Sequence, residues 1–390
     1  MSQVKISRRA GVAGVLVLLL ISVVAVKSGL SNSGAADVPN NGFVSKSICG
    51  PTGKALCVPG VIGPGGGTIF YVDSDNRYPT FTYLEAAPAG WSGGEDKETE
   101  MALDRSVELG CNFFDTAYAY GAGKSENILA NLLKRQSGKR LYTATKIPPK
   151  NHEWPSIKGS SIQDVFPAQH IIDYTERSLK NLGVETIDLQ QFHVWEDAWS
   201  NEDEWKLAIE KLKKEGKIQG IGISVNRWEP NNCINTLHTG LIESIQVIYN
   251  IFDQNPEDEL FPYCEKNNIA IIARVPFDEG SLTGTLNAQS TWDKGDFRNL
   301  YFCEENLIPT LERVRNLSNE LPNNMTLPEL SLRFIKHHPA VSTMIPGMRK
   351  IRNVENNMQI GSDKNEVFTK ETLAVTRKHR WDRLPTKWSH

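Results

Sequence analysis

The feature that most constrains this chain is a repeat of strand-like and helix-like segments running from residue 112 toward the C-terminus. Apolar, β-rich stretches at 112–114, 141–146, 187–192, 218–223, 244–249, 269–275 and 341–345 read as strands. Segments at 124–136, 167–182, 202–215, 230–239, 256–267, 304–320, 326–337 and 367–379 read as helices. Ahead of them, "EDKETEMALDRSVELG" is an amphipathic helix with acids in its first turns and Gly110 as its stop. Strands mostly about thirty residues apart, with helices between, mean βα units around a parallel sheet. Seven such units fit an eight-stranded α/β barrel short of one strand, or a doubly wound sheet. No GxGxxG follows the first strand, which counts against the dinucleotide-binding form of the latter.

In a βα barrel, reactive groups gather where strands end. The first strand runs into Asp115, with Tyr120 in the loop beyond it. "LYTATKI" carries Lys146 on an otherwise apolar strand, and "IDLQQFHVW" ends in His193 and Trp195. "IQGIGIS" ends in Ser224 with Asn226 close behind, "IESIQVIYN" carries Gln246, and "IAIIARVPF" presents Arg274. Taken singly, each has an ordinary structural explanation. The Asp suits a cap, the Tyr a packed ring with a wet hydroxyl, the Lys a snorkelling surface charge, and the His a satisfied structural group. Their arrival in the order Asp, Tyr, Lys, His at successive strand ends is far more demanding.

The residues that carry this order resemble the aldo-keto reductases. "GCNFFDTAYAYGAGKSE" is similar to that family's GxNxxDTAxxYGxGxSE element. "TATKI", "LQQFHVW", "IQGIGIS" and "STMIPGMRKIRNVENN" follow in the family's order, so the resemblance covers about three quarters of the chain. It implies a TIM-type (β/α)8 barrel and an NADP-dependent oxidoreductase that reduces aldehydes or ketones. The catalytic tetrad it implies is Asp115, Tyr120, Lys146 and His193. The chemistry suits those types. A free Tyr titrates near ~10; a nearby Lys cation favours its phenolate, an Asp orients the Lys, and a His steadies the carbonyl oxygen. The same resemblance implies nicotinamide held in extended form, with Ser224, Asn226 and Gln246 at the carboxamide and Arg274 stacked beside the ring. Gly347, Arg349 and Lys350 fall where the family meets pyrophosphate and 2′-phosphate, and Asn353 and Asn357 where it meets adenine. Two cations there favour NADP over NAD. Trp195 and Phe277 suggest an apolar mouth for a small-molecule carbonyl substrate, and the C-terminal "HRWDRLPTKWSH" a pocket-shaping tail.

One departure from the family is plain. Its N-terminal hairpin and first barrel strand are missing from the segment that should carry them. An open barrel exposes two sheet edges, so "FTYLEAA" at 81–87 is expected to insert as the first strand. Residues 49–94, with "GPGGGTIFY" and "YLEAAP", resemble the start of a β-rich domain of bacterial surface and secreted proteins, cut short. A linker at 27–48 precedes it, and the barrel is expected over 95–390. Residues 1–10 are basic and 11–26 carry no charge, the pattern of a signal peptide or short membrane anchor, predicting an exported or anchored chain. Without that segment, a cytoplasmic enzyme is expected. The alternative function is a catalytically inactive fusion, surface or regulatory protein on an incomplete barrel.

A net charge of −3 gives no nucleic-acid footprint. Cys111, Cys233, Cys264 and Cys303 show no metal spacing, whereas Cys49 and Cys57 are close enough for a small disulfide loop if they lie outside the cell.

Overall fold

The computed structural model describes residues 83–85, 96–292, 296–322, 325–362 and 368–386. The expected leader at 11–26, the linker, the cysteine pair and almost all of the β-rich block lie outside them. Among the described residues, no helix is long and apolar enough to cross a membrane.

Eight parallel strands follow one another around a single sheet in chain order. They are β1 (Tyr83–Glu85), β2 (Phe113–Asp115), β3 (Tyr142–Ile147), β4 (Ile187–Phe192), β5 (Ile218–Ser224), β6 (Ser244–Ile248), β7 (Ala270–Arg274) and β8 (Val341–Met344). This is the (β/α)8 alternative of the two architectures. The first-strand place is taken from the expected segment: Tyr83, Leu84 and Glu85 pair in parallel with Phe113, Phe114 and Asp115. Three residues of 81–87 form that strand, so the barrel does not lack one. On β1's other side, no ladder among the described residues joins it to β8.

The helices pack outside. Asp96–Glu108, Lys124–Arg135, Ala168–Leu182, Asp203–Lys214, Leu260–Asn267, Glu304–Asn319, Leu327–His337, Ile351–Ser362 and Lys370–Arg377 are the longer ones. Their ends obey local chemistry. Ala168–Leu182 stops at Gly183, whose φ of 66° is the left-handed cap. Leu327–His337 starts on Thr326, whose hydroxyl accepts from the Glu329 amide. The expected helix at 230–239 shortens to Ile234–Leu237.

Strand alternation sorts the side chains. Thr145 points out and donates to Glu126 of a surrounding helix at 2.6 Å. Its neighbour Lys146 therefore points in, where Gln191 and Asp115 also meet. The core between sheet and helices is built from Phe114, Leu129, Phe192, Ile221, Ile223, Ile245 and Ile271, all essentially excluded from water. The rigid wall this makes is what fixes the strand ends.

Candidate active site

Asp115 is the last residue of β2 and Lys146 the fifth of β3. Both are buried, at 1% and 0% exposure, and the Lys146 ammonium donates to Asp115 Oδ2. A buried ion pair survives only when its remaining polar sites are satisfied. Here they are. Lys146 Nζ also donates to the Thr116 carbonyl at 2.9 Å. Asp115 Oδ1 accepts from Gln191 Nε2 at 3.0 Å and from Gln246 Nε2 at 2.9 Å.

Tyr120 reaches this pair because of the glycine loop behind it. Gly121, Ala122 and Gly123 have φ of 67°, 52° and 91°, three left-handed residues in succession. At Gly123 the requirement is strict, since a Cβ would sit 2.4 Å from Asn181 Nδ2. That amide is committed to Glu126 Oε2 at 2.8 Å. Burial raises the carboxyl of Glu126 above its ordinary range, so its hydrogen-bonding partners matter. The Thr116 and Ser125 hydroxyls, 2.6 Å apart, and the Ser125 amide on the Tyr120 carbonyl at 3.2 Å close the loop. The Tyr120 ring then lies with Lys146 Nζ 5.4 Å from its centroid.

His193 follows β4, its amide tied to the Ile147 carbonyl at 3.1 Å. Its ring meets the Tyr120 ring edge-on, centroids 5.7 Å apart. Burial, with the Lys146 and Arg274 cations, pushes its pKa well below the usual imidazole value, so the ring is neutral at pH 7. The four tetrad candidates thus come together at one end of the barrel.

The cofactor candidates divide. Ser224 ends β5 and is the register partner of Gln246. Gln246 spends its amide donors on Asp115 and on Gln191 Oε1 at 3.4 Å, which makes it part of the ion-pair cradle. Asn226 Nδ2 faces Ser156 Oγ, the Trp195 carbonyl and Glu196 Oε1, while its Oδ1 is buried without a partner. Arg274 donates to the Val225 carbonyl at 3.0 Å, and its buried Nε has no partner. Burial and then Arg227 lower its pKa to about 10, which leaves it charged at neutral pH. Gly347, Arg349 and Lys350 lie between β8 and the helix Ile351–Ser362, Gly347 and Lys350 exposed and Arg349 half-buried. Asn353 and Asn357 sit within that helix, Asn357 buried with an unpartnered Nδ2.

One expectation about the mouth needs correction. Trp195 is fully buried, its indole donating to Thr236 Oγ1 at 2.9 Å, so it is core. Trp154, in the loop after β3, holds the position beside the site instead. It is 36% exposed and meets the His193 ring edge-on at 4.5 Å. Gln191 was the other residue missed. The sequence signal for it was its place, like Lys146, on the inward parity of a strand. The C-terminal tail is pinned near this end: Arg383 bridges Asp253 after β6 and Asp278 after β7, the latter at 2.8 Å. Burial opposes the charge on Arg383, but the two carboxylates outweigh it and hold its pKa well above the usual value.

Residues 86–379 match the Aldo/keto reductase family. The chain belongs to that family. The match starts ahead of the boundary expected at 95. Among its relatives is the uncharacterized oxidoreductase YqkF of Bacillus subtilis (strain 168), 31% identical over 290 residues, covering 74% of this chain and 89% of the relative. The aldo-keto reductase yakc [NADP(+)] of Schizosaccharomyces pombe is 28% identical over 281 residues, covering 69% and 79%. The holo form of aldo-keto reductase AKR11C1 from Bacillus halodurans has the same fold, with a TM-score of 0.63, 24% identity, and coverage of 82% and 98%. The aldo-keto reductase relatives are oxidoreductases, and this chain is a member of an enzyme family.

Proposed function

We propose that the protein reduces aldehydes or ketones to alcohols with NADPH. The observation that carries this reading is the buried Lys146–Asp115 pair beside Tyr120, with the neutral His193 ring against the same phenol. The residues available fit a nicotinamide. Buried acceptor and donor atoms at Asn226, Arg274 and Asn357 lack partners, and two cations precede a helix N-terminus suited to phosphate. NADPH, when bound, supplies the hydride to the carbonyl carbon.

Everything else falls to this chain's side chains. The substrate carbonyl oxygen is held between the Tyr120 hydroxyl and the neutral His193 ring, whose N–H donates to it. As negative charge develops on that oxygen, Tyr120 delivers its proton. Lys146 stabilises the phenolate left behind, so the proton moves to a stabilised product state. Asp115 keeps Lys146 fixed at that spot, and Gln191 and Gln246 keep Asp115 fixed. In alcohol oxidation Tyr120 runs in reverse as the base. Trp154 walls the mouth beside His193 and favours carbonyls carrying an apolar or aromatic group.

The preference for NADPH rests on Arg349 and Lys350, adjacent cations suited to a 2′-phosphate. The relative yakc carries NADP(+) in its name. The test is quenching of Trp fluorescence on titration with NADPH, with Arg349→Ala as control, followed by NADPH consumption on a panel of aliphatic and aromatic aldehydes. Saturable binding weakened in the control, with turnover on the panel, is expected. Binding without turnover on any carbonyl would support a cofactor-binding regulatory barrel. Absence of binding by folded protein would leave the inactive scaffold.

A further inference from the structure

Lys146, Arg227 and Arg383 are each matched to carboxylates at the mouth end of the barrel. Lys146 is held by Asp115, Arg227 by Glu279, and Arg383 by Asp253 and Asp278. Arg274 stands among them without one. Of its several N–H donors, Nη2 gives to the Val225 carbonyl at 3.0 Å, and no described residue accepts from Nε or Nη1. Asp253, whose charge Arg274 feels, has its oxygens taken by Arg383 and Asn250. The guanidinium is therefore partly stripped of water, set near the like charge of Arg227, and left with most of its hydrogen bonds unmade. An anion that brings both charge and acceptors would stabilise it.

Strand parity says where this cation points. Gln246 pairs in register with Ile272 and Ile248 with Arg274, so Arg274 has the inward parity of Gln246, one pleat nearer the mouth. His193 bears the same relation to Gln191 at the end of β4. The Arg274 charge is felt by the His193 and Tyr120 side chains, which puts it beside the space where the carbonyl is reduced. It is half-buried there rather than sealed. The cations suited to phosphate, Arg349 and Lys350, follow β8 instead. In the chain-order sheet, β7 lies on the far side from β3, whose loop carries Trp154. A substrate crossing the mouth thus meets an aromatic ring on one side and an unmatched cation on the other.

We propose that Arg274 receives a carboxylate of the substrate, which makes the substrate class oxo acids: aldehydes or ketones that carry a carboxylate a few carbons from the carbonyl. The inference rests on the NADPH-dependent carbonyl reduction above and narrows its substrate. The flat face of a guanidinium and its N–H edge are separate surfaces, so Arg274 can lie against a nicotinamide and still offer the edge. A carboxylate there takes paired hydrogen bonds, offsets the repulsion from Arg227, and holds the carbonyl against Tyr120 and His193.

The experiment compares each acid with its own primary amide, which keeps the shape and loses the charge. Succinic semialdehyde and phenylglyoxylate, each against its amide, are given to wild type, Arg274→Gln and Arg274→Lys. The ratio of kcat/KM for acid over amide cancels any effect of a variant on NADPH, whose dissociation constant is measured separately by fluorescence. Wild type should favour at least one acid by about tenfold to a hundredfold, the range of a charge-assisted pair. Arg274→Gln should bring that ratio near parity, chiefly through KM, and Arg274→Lys should retain part of it. Succinate, which is not reduced, should bind the NADPH complex of wild type in a fluorescence titration and not that of Arg274→Gln. An unchanged ratio in Arg274→Gln, with NADPH binding weakened, would overturn the assignment and give Arg274 to the cofactor. Wild type that reduces the amides as well as the acids would overturn it whatever the variants do, and leave the parent reading standing. Turnover of neither by protein that binds NADPH would remove both.

Discussion

Replacing Lys146 by Met keeps the aliphatic stem and removes the charge from the centre of the barrel. Asp115 then remains as a carboxylate at 1% exposure with no counter-ion. Breaking a buried pair by deleting one partner costs about 3–5 kcal/mol. The two glutamine amides on Asp115 Oδ1, at 3.0 and 2.9 Å, still solvate the charge and hold the cost near the lower end, about 3 kcal/mol. With a urea m-value of about 3 kcal/mol/M, the midpoint should fall by about 1 M. Asp115→Asn added to Lys146→Met removes the stranded charge while keeping an oxygen for both glutamines. The double variant should therefore recover most of the lost stability and none of the turnover. The assay is urea unfolding followed by Trp fluorescence on the two single variants and the double. A Lys146→Met midpoint equal to wild type would refute the reasoning, because the pair would then carry no buried charge. A double variant no more stable than Lys146→Met would refute it as well.

Three further outcomes follow from the same geometry. Tyr120→Phe should lower kcat by about 10²–10⁴ while leaving the NADPH dissociation constant unchanged, the signature of a lost proton donor; stopped-flow turnover and fluorescence titration separate the two. Gly123→Ala, at φ 91° with Asn181 Nδ2 in the way, should cost about 2 kcal/mol in urea unfolding, and a cost near zero would mean the loop shifts freely. His193 has its folded pKa depressed, so the unfolded chain takes up its proton first, near ~6.5. Stability linked to it is complete above that pH and is lost as the pH falls toward the folded value. His193→Gln should flatten that part of the stability–pH curve, as followed by urea midpoints across the range.

Much of the site was legible because its logic is local. "GCNFFDTAYAYGAGKSE" fixes a strand end, a left-handed turn and a helix start within seventeen consecutive letters, 110–126, and so places Asp115 and Tyr120 together. Lys146 stood out as a charge on an apolar strand, and the Asp-Lys contact followed from the parallel pairing of β2 and β3. What failed to show was contact between distant segments. Gln246 donates to Asp115, which lies 131 residues away, a contact that its expected place beside the cofactor did not suggest. Trp195 and Trp154 are both aromatics in loops near the mouth. Only packing decides that one is enclosed by Phe166, Phe192 and Trp205 while the other rests on His193.

The sequence by itself determined the αβ alternation, the order of the four tetrad residues and the glycines that shape the Tyr120 loop. Those depend on backbone sterics and on periodicity, which act over a few residues. Tertiary structure alone decided that two glutamines cradle the ion pair, and that Trp195 is enclosed while Trp154 stands beside His193. Those depend on which surfaces meet when the sheet curls, where hydrogen-bond donors from far along the chain compete for the same few buried acceptors.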